Sequence, residues 1–260
     1  MGEGQREALE ARKQRDVAEK YGTETVSLTH PQPKTPKFRE MMGSEMVDIY
    51  VGEEKEHFRI HRSILCNKVP YFQKMFSIGF VEGSELKAYL PEDDPEDFDV
   101  FAGWVYFGTL RALQDDETRE ENWRPINLYI LADKFCLPEL MDQVIDAYLD
   151  ELQNNRFLPD IDEIEMAYEL TPTGSTLRRF MCAAMHYIFA ALRTAEKASN
   201  DWPSMDVAAL MKSHQDFTVD FLNMMRTQPA GVAPEDPRWL PKCEFHCHGK
   251  DEPCPQKARK

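Results

Sequence analysis

The sequence predicts an α+β fold, a short three-stranded sheet with flanking helices, followed by an α-helical extension. Three observations predict it. Apolar residues alternate with period two in MVDIYV, in FRI and in LKAYL, the mark of half-buried strands. Helical spacing takes over from Ile64 and holds through most of the remaining chain. The order is strands, a helical hairpin, a third strand and then only helices, which is an α+β arrangement.

Residues 1–37 read as a flexible N-terminal arm and Pro-rich linker, with charge and alanine over residues 5–21 and three prolines in THPQPKTPKF. Phe38, Met41 and Met42 stand at i, i+3 and i+4 and predict one short helix with a small apolar face. In MVDIYVG, Val47, Ile49 and Val51 share one face, and Asp48 and Tyr50 the other. Gly52 opens a charged turn, and Phe58 and Ile60 continue the alternation in a return strand, making a hairpin. Pro70 fits the first turn of a helix, where its missing N–H costs nothing, and Phe72, Met75 and Phe76 form that helix's stripe. Leu86, Ala88 and Leu90 predict the third strand. Asp94 is placed to cap the next helix, with Pro95 at its first position and Glu96 and Asp97 at the positive end of its dipole. Phe98, Phe101, Trp104 and Val105 supply its apolar face, and Gly108 ends it.

Residues 111–124 are polar and read as a loop. Leu128, Leu131 and Phe135 restart a helix. Leu140, Met141, Val144, Ile145, Tyr148, Leu149 and Leu152 then form the cleanest amphipathic stripe in the chain. Three further helical patterns lie near 161–170, 176–195 and 205–226, before a proline-rich stretch from Pro229 to Pro241 and the tail CEFHCHGKDEPC. The expected organisation is a core domain over 38–153, an α-helical extension over 154–228, and a Pro-rich linker with a Cys/His-rich tail over 229–260.

Composition narrows the function. With 260 residues, 42% of them hydrophobic, the chain has a globular composition. No apolar run reaches the roughly 18 residues of a membrane span, and the amino terminus lacks the apolar block of a signal peptide. The expectation is an intracellular protein of the cytoplasm, the nucleus or both, with reduced thiols and no membrane partner. The net charge is −15, and residues 41–237 hold 17 basic against 36 acidic side chains. Such a body repels a phosphate backbone, so no nucleic-acid partner is expected for it. No P-loop, GxGxxG, GxSxG or HExxH string occurs, and the chain is not expected to be an enzyme.

Four separated motifs, VDIYVG, FRIHRSIL, YFQKMF and LPEDDPEDFDVFAGWVYFGTL, occur in that order. Together they resemble a BTB/POZ domain over about residues 38–153, in the version common in fungal BTB proteins. Met46-Val47 before Asp48 and Val69-Pro70 before Tyr71 depart from the family pattern. The resemblance implies the BTB/POZ fold, in which the second strand runs directly into the first helix with a histidine at the corner. It implies a structural pair of Asp48 and His61 there. A catalytic dyad is the sharper reading of the two residues, but no nucleophile or oxyanion motif accompanies them.

The resemblance also implies a homodimer in which the segment from Phe38 to Met46 crosses to the other subunit, with Phe38, Met41 and Met42 in the interface. The alternative is that this face packs on its own domain. Some BTB proteins dock a cullin scaffold through a hydrophobic-x-Glu motif after the helix ending in the MF pair, and Phe80-Val81-Glu82 stands at that place. Phe80 and Glu82 are therefore candidate partner-binding residues. The leading expectation is a protein–protein interaction module that self-associates and recruits partners, as in a cullin-type ubiquitin-ligase adaptor. A transcription or chromatin regulator, using BTB oligomerisation with a basic Cys/His tail, is the alternative.

The tail carries the densest chemistry. Cys243, His246, Cys247, His248 and Cys254 fall within twelve residues. Cys243-x-x-His246 is a ligand spacing suited to zinc, and in an extended segment His246 and His248 project to one side, with Cys254 returning after Gly249. Cys243, His246, His248 and Cys254 are the candidate structural zinc ligands, with Cys247 able to replace one. A polar disordered end with spare thiols is the plain alternative. The C-x-x-H-x-H pattern is also similar to tails of fungal BTB proteins. Cys66, Cys136 and Cys182 are expected as small core residues.

Overall fold

The computed structural model describes residues 37–77, 81–114, 122–192, 200–249 and 252–254. The expected N-terminal arm therefore lies, apart from Lys37, outside the described residues. A short helix α1 (Phe38–Met42) leads into the sheet. Its strands β1 (Met46–Val51), β2 (Glu56–His61) and β3 (Lys87–Leu90) take the order β2-β1-β3. β1 pairs antiparallel with β2, Val47 opposite Ile60 and Ile49 opposite Phe58, and parallel with β3. The period-two reading is borne out: Val47, Ile49, Val51 and Ala88 are fully buried, all on the face turned to the helices. On the outer face Tyr50 stacks between His57 and Tyr89 at centroid distances of 5.0 and 5.1 Å.

A parallel pair needs a crossover. Helices α2 (Arg62–Lys68), α3 (Pro70–Met75) and α4 (Val81–Glu85) supply it. β2 passes into α2 with no intervening loop, since His61 is both the last strand residue and the N-cap, at φ −62° and ψ 118°. Helix α5 (Pro95–Phe107) starts as expected, with the Asp94 carboxylate accepting from the Glu96 and Asp97 amides at 2.9 and 3.4 Å. It ends at Gly108, whose φ of 77° is cheap only for glycine.

Helices α6 (Pro125–Lys134) and α7 (Pro138–Asn155) follow and pack against each other. All seven stripe residues of α7, Leu140 through Leu152, are buried. At about 1.5–3 kcal/mol of gross burial free energy each, that stripe is reason enough for the helix to dock. Beyond it come α8 (Ile161–Leu170), opened by a capping box between Asp160 and Glu163, and α9 (Thr176–Ala191). The pattern expected near 205–226 is two helices, α10 (Ser204–Ser213) and α11 (Gln215–Thr227), broken at His214 with φ −118° and ψ 89°. Val207 and Leu210 of α10 and Phe217 and Phe221 of α11 are all buried.

Buried apolar side chains from Val47 in the sheet to Phe221 in α11 and Phe245 in the tail form one contiguous cluster. Cys182 lies in it, whereas Cys66 is half-buried and Cys136 is exposed. Cys136 follows α6 at φ 56°, in a turn rather than on the helix, which is why it misses the core. No helix among the described residues is long and apolar enough to cross a membrane.

Candidate metal centre and interaction surfaces

The tail folds back over α7 and α9. It makes two 3-10 turns, Pro237–Trp239 and Lys242–Phe245. Phe245 is 2% exposed and meets the Phe180 ring edge-on at 5.2 Å, while Trp239 is 69% exposed. One aromatic anchor holds the segment. Polar contacts do the rest, along a row of acids spaced four apart on α7, which places them on one helix face. Asp150 receives Lys242 Nζ at 2.7 Å, Asp146 Oδ1 lies 2.9 Å from His246 Nε2, and Asp142 Oδ1 accepts from the Cys247 amide at 2.7 Å. Arg238, ion-paired with Asp236 at 2.6 Å, donates to the Phe157 carbonyl at 2.7 Å.

This docking brings together the four expected ligands. One donor atom from each of Cys243, His246, His248 and Cys254 lies within 4.8 Å of the others. Around a tetrahedral zinc, donors at about 2.0–2.3 Å from the metal stand roughly 3.3–3.8 Å apart, so the widest pair needs to draw in by about 1 Å. Cys254 Sγ and His246 Nδ1 are already 3.5 Å apart. The His248 ring donates from Nδ1 to the Gly249 carbonyl at 2.9 Å. That leaves its Nε2 buried and without a hydrogen-bond partner, an arrangement that is costly unless something binds there. Two thiols and two imidazoles are a borderline-soft donor set of the kind zinc prefers. The residues fit the metal.

Cys247 does not join them. Its thiol turns toward Thr176 Oγ1 at 3.9 Å, and burial, with Asp142 close by, pushes its pKa up to about 12. Turned this way it lies outside the group of four donor atoms and packs against the core. For His246, burial alone works against the charged ring, but the hydrogen bond to Asp146 and the neighbouring Asp142 outweigh it and raise its pKa.

The strand-to-helix corner differs from the expected pair. Asp48 Oδ1 bonds His57 Nε2 at 2.7 Å, not His61. His61 meets Tyr106 of α5, whose hydroxyl accepts from the His61 amide at 3.0 Å and lies 2.9 Å from its Nδ1. The reason is register. Asp48 faces Arg59 across the ladder, so His57 and His61 sit at its two diagonals, and His61 leaves for the helix. The corner is held, by a partner 45 residues away.

In α1, Ser63 Oγ donates to the carbonyls of Met41, at 3.0 Å, and Met42. Met41 is 48% exposed and Met42 half-buried, while the Phe38 side chain lies outside the described residues. Phe80 also lies outside them. Glu82 stands half-buried on α4.

Sequence reasoning missed Tyr106 and the acids Asp142, Asp146 and Asp150. The i, i+4, i+8 spacing of those acids is the available signal, but it reads equally as the polar side of an amphipathic helix.

Residues 38–152 match the family described as BTB/POZ domain. Over 67 residues the chain is 31% identical to Kelch repeat and BTB domain-containing protein 12 of Homo sapiens, an alignment that takes in 26% of this chain and 11% of that protein.

Proposed function

Because residues 38–152 are a BTB/POZ domain, a protein interaction module, we propose that this chain self-associates through the α1 segment and recruits other proteins as a cullin-type ubiquitin-ligase adaptor. The observation that carries self-association is α1. It is five residues long, tied by Ser63 through its carbonyls, with Met41 left 48% exposed. An apolar side chain presented on such a strap gains burial only from a second surface, and a second copy of the same strap supplies one by symmetry. The scaffold contact is assigned to Phe80 and Glu82, an apolar anchor beside a carboxylate. Co-purification of a cullin scaffold with the wild-type chain, and its loss in the Phe80→Ala/Glu82→Ala double variant at unchanged melting temperature, is the expected result. Equal recovery with both proteins disposes of the motif.

The tail holds a structural zinc through Cys243, His246, His248 and Cys254. The buried, unpartnered Nε2 of His248 supports this most directly. When bound, the metal cross-links a segment whose apolar contribution to the core is Phe245 alone among its aromatic residues. A chromatin regulator with a basic tail has less support, because Lys242 and Arg238 direct their charge to Asp150 and Asp236. About one zinc per chain is expected after purification under reducing, chelator-free conditions, and a metal-free protein rules the site out.

A further inference from the structure

We propose that Asp146 of α7 is a positioning residue of the tail metal site, so that the bound metal clasps the tail to the last helix of the BTB domain. The proposal rests on the zinc reading above and deepens it.

The geometry of the two imidazoles carries the proposal. A metal-binding histidine has one ring nitrogen for the metal and a second to anchor the ring. In His246 the anchor is Nε2, which donates to Asp146 Oδ1 at 2.9 Å. The other nitrogen, Nδ1, then faces Cys254 Sγ at 3.5 Å, on the side of the cluster. The ring is 3% exposed, so it has no solvent-filled space in which to swing. In His248 the roles are reversed, Nδ1 anchored on the Gly249 carbonyl and Nε2 left without a partner. Each ring thus offers one nitrogen to a single cluster. Asp146 anchors His246 Nε2, while Asp142 Oδ2 lies 3.9 Å from Nδ1 on the cluster side and makes no contact with the anchored nitrogen.

The neighbouring acids divide the labour. Asp142 holds the backbone between the two histidines through the Cys247 amide. Asp150 pairs with Lys242 at 2.7 Å and touches none of the four ligands. It lies on the same helix as Asp146 and carries the same charge. It also takes the shorter contact of Lys242, whose Nζ is 3.9 Å from Asp146 Oδ1, so it is the control for docking without ligand positioning. Metal binding and tail docking share His246, and by linkage each strengthens the other by the same factor.

The test is zinc affinity by competition with a chromophoric chelator, on the full chain and its Asp146→Asn and Asp150→Asn variants. Cobalt(II) spectra of each would report the ligand field. Asp146→Asn is expected to weaken zinc binding 10–100-fold and to alter the cobalt spectrum, the usual consequence of losing an anchoring carboxylate. Asp150→Asn is expected to stay within about threefold of the wild type, with the wild-type spectrum. Melting in excess chelator should place all three proteins together, so that a difference in affinity is not a difference in folding. Asp146→Asn and Asp150→Asn weakening zinc equally, or a metal-free Asp146→Asn chain that melts well below the others, overturns the proposal while leaving the zinc site standing. A wild-type chain that binds no zinc removes both.

Discussion

Phe245→Ala isolates what holds the tail in place before any metal is considered. Phe245 is 2% exposed and packs edge-on against Phe180 of α9. Truncating a buried phenylalanine costs about 3–5 kcal/mol. Because the residue belongs to a segment laid over α7 and α9 from outside, the loss falls on the opening of that segment and not on the whole fold. Taking the lower figure, about 3 kcal/mol corresponds to roughly a hundredfold rise in the open fraction. The reporters are the amides of Glu244, bonded to the Pro241 carbonyl at 2.8 Å, and Cys247, bonded to Asp142 at 2.7 Å. Hydrogen exchange in the presence of chelator should show both losing about two orders of magnitude of protection, with β1 and the interior of α7 unchanged. Unchanged tail protection refutes the assignment of Phe245 as the anchor. An equal loss in β1 refutes the idea that the tail opens independently.

Two further outcomes rest on the same kind of contact. Tyr106→Phe removes the acceptor for the His61 amide and the partner of its ring, a loss of about 1 kcal/mol that should lower Tm by roughly 2–4 °C in a domain of this size, with no effect on β1–β2 exchange rates; an unchanged Tm would mean the corner is held by the helix alone. Cys243→Ser should abolish stoichiometric zinc in metal analysis while Cys247→Ser retains it, because the Cys247 thiol points at Thr176; zinc loss in the Cys247 variant would reassign the ligands.

Much of the fold was legible in the sequence because it is local. The β1–β2 hairpin, the Asp94 cap and the α7 stripe each announce themselves within fewer than twenty residues, through a period or a capping side chain. The break at His214 was not legible, since Val207, Leu210, His214, Phe217 and Phe221 keep one helical phase straight through it. The partner of Asp48 was not legible either. Alternation tells which face a side chain takes, but His57 and His61 share that face at equal diagonals, and the choice depends on the twist of the pair and the departure of His61 into α2. The Cys243, His246, His248 and Cys254 cluster could be read from the density of cysteine and histidine and from their spacing. Their support could not, because His246 meets Asp146 across 100 residues through a polar contact that leaves no periodic trace.

Sedimentation velocity of the intact chain at tens of micromolar tests the central claim, a self-associating interaction module, most directly. A species of twice the 30.2 kDa chain mass is expected, shifting toward the single-chain mass in Met41→Glu, where a charge replaces an apolar side chain on α1. Since even a weak micromolar dimer would be populated at that concentration, a wild-type chain that sediments at its single-chain mass contradicts it.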